Sequence, residues 1–127
     1  MFKINKDQSI YLTRGDIASI EVSAKKSESE QYIFQKGDVL RLQVVEKGNY
    51  ERVVLRKVVN VLEESPTVDI YLNKEDTRIG GTINRPKDYW YEIELNPETN
   101  PQTIVGYDDE GAKVFRLFPE GSEVNVG

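Results

Sequence analysis

Alternation of apolar and polar residues is the dominant pattern in this 127-residue chain. It is clearest in the segments 68–72 and 89–95, where every second side chain is aliphatic or aromatic. Successive side chains of a strand point to opposite faces, so each segment predicts a strand with one buried face. In the second segment, three residues share the polar face: Trp90, Glu92 and Glu94.

The residues between these two strands predict one short helical turn near residues 74–79. Asn73 stands where it can cap the turn, and Asp76 occupies the third helical position. Gly80 and Gly81 can end the turn, because glycine readily adopts the left-handed backbone found there.

Turn residues divide the rest of the chain into further short strands, predicted over 10–12, 17–24, 39–46, 102–107 and 112–118. Lys47–Asn49 predicts a tight hairpin, and 108–111 predicts a second one with its glycine at a positive φ. The polar residues 25–31 predict an exposed loop. Residues 50–62 fit a helical stripe as well as a strand, and their five valines favour the strand.

Two turns of similar sequence, 13–16 and 35–38, each place a basic residue, a glycine and an aspartate before an alternating strand. Two copies are too few for a repeat architecture, so we interpret them as reuse of one local geometry. About seven or eight strands separated by turn signals are typical of a β-sandwich or a barrel. The length fits a single domain over 1–127, with a core of about 9–119 and a polar C-terminal tail, 120–127.

Composition narrows the range of functions. The 17 basic and 22 acidic residues give a net charge of −5, which argues against nucleic acid as a partner. The sequence contains no cysteine or histidine, so it lacks thiolate chemistry and the commonest general base and metal ligand. No apolar run is long enough to span a membrane, and no signal peptide is expected. We predict no catalytic residues, no cofactor and no metal site.

Four motifs favour structural interpretations over chemical ones. Arg14–Asp16 spells a cell-adhesion tripeptide but fits a common turn. The acidic run 108–110 lacks the alternating ligand spacing of a calcium loop. Glu92 and Glu94 stand ~7 Å apart on one strand face, within glycosidase range, but such a pair is ordinary on a wet face. Gly80-Gly81 lacks the lysine and helix of a phosphate loop.

Trp90 is the strongest candidate for partner binding, together with Glu92 and Glu94. A tryptophan on an outer face could anchor a protein or stack on a sugar ring. The alternative is that a second sheet, a loop or the segment 32–34 covers it.

The order of motifs resembles a known family. Three motifs support the resemblance: L-T-R-G-D before an alternating strand, then V-D-I-Y-L-N-K-E-D-T, then Y-W-Y-E-I-E-L. Together they resemble the N-terminal β-sandwich domain of baseplate upper proteins and related tail-associated proteins of Gram-positive phages and prophages. The chain departs from that pattern at 86–88, where Pro-Lys-Asp replaces the usual glycine before the aromatic strand.

This resemblance implies an all-β, immunoglobulin-like antiparallel β-sandwich and a non-enzymatic structural protein of a tail or baseplate. The expected partners are other phage subunits or further copies of the chain, and not nucleic acid, a membrane or a small molecule. The expected location is the virion, after synthesis in the bacterial cytoplasm. The alternative function is a carbohydrate- or cell-surface-binding module that uses Trp90 and nearby tyrosines.

Overall fold

The computed structural model describes residues 2–4, 8–27 and 29–123, with side chains from residue 8 to 122, and this part of the chain is almost entirely β-structure. The strands in chain order are β1 Phe2–Ile4, β2 Ile10–Thr13, β3 Ala18–Val22, β4 Ala24–Ser27, β5 Glu30–Tyr32, β6 Val39–Glu46, β7 Asn49–Asn60, β8 Val68–Leu72, β9 Lys87–Leu95, β10 Gln102–Val105 and β11 Lys113–Phe118. A 3-10 turn, Gly121–Glu123, follows β11, and the tail residues 124–127 lie outside the described residues. The all-β prediction is confirmed.

Two sheets pack their apolar faces into one core. Seven strands form the larger sheet in the order β1-β2-β11-β9-β6-β7, with β10 also paired to β9. β3 and β8 form the smaller antiparallel sheet, and β4 and β5 form a separate hairpin. Side chains of both sheets belong to one buried hydrophobic cluster, so the arrangement is sandwich-like.

The predicted strand faces are confirmed. On β9 the four inward residues are at most 7% exposed, and Ile70 and Leu72 on β8 are completely buried. Residues 49–60 form a strand of 12 residues, β7, which confirms the strand interpretation of the valine-rich segment. The hairpin between β6 and β7 turns at Gly48, whose φ is +84°.

The similar turns at 13–16 and 35–38 do share one geometry. In each, the aspartate amide donates to the carbonyl oxygen three residues earlier, at 3.1 and 3.0 Å. Gly15 and Gly37 occupy the third position with φ of +86° and +96°, as a type II turn requires.

The helical turn predicted near 74–79 is shorter than expected. Asn73 Oδ1 accepts the Asp76 amide at 2.8 Å, and Asp76 Oδ2 accepts the Asn73 amide at 3.0 Å. This reciprocal pair is a capping box, so the predicted cap is confirmed. The hydrogen-bonded turn covers only 74–77, because Thr77 and Ile79 are both buried. Residues two apart cannot share one face of a helix.

The loop predicted at 25–31 is wrong. Ala24–Ser27 and Glu30–Tyr32 pair as the β4–β5 hairpin, with Ala24 opposite Tyr32 and Lys25 opposite Gln31. Most of its side chains are exposed. A hairpin of exposed polar residues carries no apolar alternation, so the pattern gave no sign of it.

The hairpin predicted from 102–107 and 112–118 is also wrong. β10 pairs with the end of β9, Gln102 opposite Leu95, and β11 pairs with its beginning, Lys113 opposite Tyr91. The two strands therefore follow one another along the same edge of β9, and residues 106–112 leave that edge and return. The turn itself is as predicted, with Gly111 at φ +93°. Local sequence specified the turn but not the partner of the strands beside it.

One strand pair departs from the antiparallel prediction. β11 runs parallel to β2, with Phe115 opposite Ile10 and Phe118 opposite Thr13. β2 comes from the start of the chain and β11 from its end, so no short turn forces an antiparallel pairing. Residues 2–4, before β2, form β1, which pairs antiparallel with β2.

Candidate interaction face

The outer face of the seven-stranded sheet carries the predicted partner-binding residues. Trp90 stands opposite Val45 of β6 and Val114 of β11, on the face turned away from the core. Val45 is completely buried even though it faces outward. Trp90 itself is half-buried. An outward valine with no exposed surface must be covered by neighbouring side chains, and the Trp90 ring is one of those beside it.

Tyr50 covers one side of the tryptophan. The two ring centroids are 5.5 Å apart and the planes are inclined at 42°, within the range of favourable aromatic pairs. This contact replaces the cover that the sequence suggested from residues 32–34. Phe34 is instead completely buried in the core cluster, with the ring of Tyr32 against it at 5.4 Å.

A bulge in β7 brings Tyr50 to this position. Asn49 pairs with Glu46, but the next pair joins Val53 to Val45, so residues 50–52 have no opposite residue on β6. Extra residues of this kind bend a strand and redirect its side chains. The bulge therefore turns the Tyr50 side chain towards Trp90.

The Tyr50 hydroxyl oxygen is buried and has no hydrogen-bond partner within the described residues. Burial raises the pKa of Tyr50, and the charges of Glu92 and Tyr107 raise it further. Tyr107 is itself 69% exposed. These four residues, Tyr50, Trp90, Glu92 and Tyr107, are called the aromatic face below.

The loop between β10 and β11 brings Tyr107 to the aromatic face. Its first residue, Gly106, is buried, and a Cβ there would lie 2.7 Å from Thr103 Cγ2 and 3.8 Å from Glu92 Cβ. The first distance is too short for a carbon–carbon contact, so glycine fits here beside Thr103 of β10. Gly106 therefore sets the position of the residue that follows it.

Glu92 and Glu94 each have a partner on the neighbouring strand. Arg41 Nη2 donates to Glu94 Oε1 at 3.4 Å, and Gln43 Nε2 donates to Glu92 Oε1 at 3.5 Å. Arg56 continues the row by donating to Gln43 Oε1 at 2.7 Å. Cross-strand pairing of this kind stabilises sheets, and it explains both carboxylates without paired-carboxylate chemistry.

A second polar cluster lies on the same outer face. Arg116 of β11 donates to both carboxylate oxygens of Asp88, at 2.6 and 3.1 Å, and stands over the ring of Tyr11. The hydrogen bond from Arg116 lowers the pKa of Asp88. A planar, bidentate arginine–carboxylate pair has fixed geometry, so this end of the face is well ordered.

The other motifs occupy structural positions. Arg14 donates to the Gly80 carbonyl oxygen at 3.1 Å, and the Gly15 amide donates to Thr77 Oγ1 at 3.0 Å. A Cβ on Gly15 would lie 1.8 Å from a carboxylate oxygen of Glu120. The adhesion-like tripeptide is therefore part of a packed turn.

The acidic turn at 108–110 is also held by a local contact. Asp108 Oδ1 accepts from Lys113 Nζ at 2.7 Å, and this hydrogen bond lowers the pKa of Asp108. Among the residues that the structure describes, no group of three His, Cys, Asp or Glu side chains could hold a metal ion. The described helical structure contains no segment long and apolar enough to cross a membrane.

Sequence reasoning placed Trp90, Glu92 and Glu94 on one face but missed Tyr50 and Tyr107. The hairpin signal beside Tyr50 predicts a turn but not the bulge that follows it. The only available sign for Tyr107 was its position next to a glycine.

Comparison with known protein families, curated proteins and solved structures finds no match. The resemblance to the baseplate-associated domains therefore stays a prediction.

Proposed function

We propose that this chain is a non-enzymatic structural protein of a phage or prophage particle, a tail or baseplate component. It acts by protein–protein assembly, through the aromatic face of an immunoglobulin-like sandwich. The half-buried Trp90 ring on the outer side of the sheet is the observation that carries this proposal. The order of sequence motifs described above supplies the class of particle.

The composition of the face supports protein binding. Trp90, Tyr50 and Tyr107 combine large apolar surfaces with polar tips, and tryptophan and tyrosine are enriched where protein interfaces derive most of their energy. Arg41 lies further along the same outer face, opposite Glu94, and pairs with Glu94 and with Glu98. An aromatic centre with charged residues around it matches the usual arrangement of an interface core and rim.

The same face offers a second candidate function, carbohydrate binding. An exposed aromatic ring can stack on the apolar side of a sugar, and the Glu92 carboxylate can accept from hydroxyl groups. The observation that favours it is the Tyr107 ring, which is 69% exposed and therefore accessible to a sugar. A protein partner would bury the whole face, whereas a sugar would cover only one or two rings.

The gene neighbourhood and co-purification test the proposal. We expect genes for tail or capsid proteins beside this one, and we expect one of their products to co-purify with the chain. Tyr107→Ala should weaken that association, because Tyr107 is exposed on the aromatic face. Tyr71→Ala is the matched control, because Tyr71 is 53% exposed but lies on β8, in the smaller sheet.

Light scattering after size-exclusion chromatography separates the two functions. A complex with a neighbouring gene product, or a ring of identical copies, that Tyr107→Ala disrupts and Tyr71→Ala preserves would support assembly. A strict monomer that binds glycans through Tyr107 would support the sugar-binding alternative. A gene without virion neighbours, whose product binds neither, would refute both functions.

A further inference from the structure

A polar groove lies beyond the end of β9, away from the aromatic face. It occupies about 710 Å³ between the β4–β5 hairpin and the segment that joins β9 to β10. Its polar lining includes Lys25, Lys26, Tyr32, Asn96, Asn100 and Gln102. This volume is within the usual range of ~300–1,000 Å³ for small-molecule sites.

Asp38 joins the two walls of the groove. Its Oδ2 accepts from the Tyr32 hydroxyl at 2.6 Å, and its Oδ1 accepts from Asn96 Nδ2 at 3.1 Å. Asn96 Oδ1 in turn accepts from the Val39 amide at 2.8 Å. The hairpin wall and the β9–β10 wall are therefore fixed relative to each other through one carboxylate that lies behind the groove.

Unusual backbone geometry is concentrated at the same place. Among the described residues, Gln8 and Asn96 are the two non-glycine residues with positive φ, at 67° and 50°, and both line the groove. Such conformations cost free energy and persist only where the surrounding structure holds them. Tyr91 provides that support at Gln8, because its hydroxyl donates to the Gln8 carbonyl oxygen.

Several polar groups of the groove are not used by the protein itself. Within the described residues, the side chains of Lys25, Asn100, Gln102 and Thr103 form no ion pair or hydrogen bond. Lys26 differs, since its Nζ lies 3.5 Å from a carboxylate oxygen of Glu30. The groove therefore presents amide, hydroxyl and ammonium groups that remain available to a ligand.

One charged side chain at the groove has no partner among the described residues. Glu30 pairs with Lys26, and Asp38 behind the groove accepts from Tyr32 and Asn96, whereas Lys25 forms no ion pair or hydrogen bond there. The sequence carries a net charge of −5, yet no aspartate or glutamate belongs to the described lining, which contains two lysines. The Lys25 ammonium therefore favours a negatively charged group in the groove.

We infer that this groove binds an acidic sugar, that is, a sugar unit that bears a carboxylate or a phosphate. The amides of Asn100 and Gln102 can donate and accept, as hydroxyl groups require. Lys25 is placed to pair with the anionic group. Leu95 and Ile104 add apolar surface for the carbon face of the ring.

This site is separate from the proposed assembly role and does not depend on it, because the aromatic face and the groove share no residue. It also differs from the sequence-based expectation that the chain binds no small molecule. That expectation accompanied the resemblance to structural proteins of phage particles, and a structural role does not exclude a groove that binds a sugar. Loss of one function would leave the other intact.

Titration followed by ¹H–¹⁵N NMR tests the inference. The probes are glucuronic acid, glucose 6-phosphate, glucose and inorganic phosphate, each added separately to the full chain. We expect saturable shifts of the groove amides with at least one of the two acidic sugars, and weaker effects with glucose and with phosphate alone. The more effective acidic sugar identifies which anionic group the site takes. Equal binding of glucose, equal binding of phosphate alone, or no shift at the groove would overturn the inference.

Two charge-neutralising variants sharpen this test. Lys25→Gln should weaken binding of the acidic sugar by about three- to fivefold, as expected for an exposed charge pair. Lys47→Gln removes the same charge from the β6–β7 turn, at the opposite end of β6 from Val39, and should leave binding unchanged. Both lysines are exposed, so neither change should unfold the protein. Equal weakening by the two variants would show a general charge effect and refute a role for the groove.

Discussion

The hydroxyl of Thr77 connects the capped turn after β8 to the turn between β2 and β3. Thr77 is completely buried, and its Oγ1 accepts from the Gly15 amide at 3.0 Å and donates to the Asp16 carbonyl oxygen at 2.8 Å. Thr77→Val keeps the shape of the side chain and removes these two hydrogen bonds, together with a longer one from Oγ1 to the Lys74 carbonyl oxygen at 3.3 Å. The variant therefore tests how much this contact contributes to stability.

The expected loss follows from the groups left without a partner. Asp16 is exposed, so water can hydrate its carbonyl oxygen at little cost. Gly15 is half-buried, and an unsatisfied buried amide costs roughly 1–3 kcal/mol. We expect the free energy of unfolding to fall by about 2 kcal/mol. For a domain of this size, that loss lowers the Tm by roughly 6–10 °C.

Urea unfolding, followed by circular dichroism, measures the effect of Thr77→Val. We expect a lower midpoint with an unchanged slope, because the change affects the folded state and not the surface exposed on unfolding. Thr82→Val is the matched control, since Thr82 is exposed in the loop before β9. Equal stability of the two variants would refute the role assigned to the Thr77 hydroxyl.

Three further changes test the electrostatics and the turns. Arg116 lowers the pKa of Asp88, so the ionised Asp88 stabilises the fold at pH values above the pKa of an unfolded aspartate. This stabilisation is lost as the pH falls through the pKa of Asp88 in the folded protein. The free energy of unfolding should therefore fall less on acidification in Asp88→Asn than in the unchanged protein. The hydrogen bond from the Tyr32 hydroxyl to Asp38, then burial and the Asp38 charge, raise the pKa of Tyr32 to about 12. The stabilisation from the neutral Tyr32 hydroxyl is complete below the unfolded pKa of about 10 and is lost as the pH rises to about 12. The free energy of unfolding should therefore decrease less between these pH values in Tyr32→Phe than in the unchanged protein. Gly48→Ala should lower the unfolding free energy by about 1 kcal/mol in urea, because φ is +84° there.

Each of these changes has a matched control elsewhere in the chain. Asp69→Asn and Tyr71→Phe make the same chemical changes at exposed residues of β8, outside the Asp88–Arg116 and Tyr32–Asp38 pairs. Gly81→Ala places a Cβ in open space at a residue whose φ is not positive. If a control matched its test variant, the specific contact or backbone conformation would not be the cause of the effect.

The sequence by itself determined the local features of this protein. Alternation assigned Tyr89, Tyr91, Ile93 and Leu95 to the buried face and Trp90 to the outer face, because side chains of a strand alternate whatever the sheet around them. The glycine-containing turns and the Asn73 cap were also predicted correctly. Each depends on the conformation of a few consecutive residues, so the information is present in those residues alone.

Only the tertiary structure decided which strands pair and which side chains meet. The 102–107 and 112–118 segments looked like a hairpin, but both form their backbone hydrogen bonds with β9. The contact between Tyr50 and Trp90 depends on a bulge in one strand and on the register of two others. The groove combines residues from Gln8 to Ile104. Such contacts join residues far apart in the chain, so no local pattern records them, and the candidate sites emerge only when the sheets assemble.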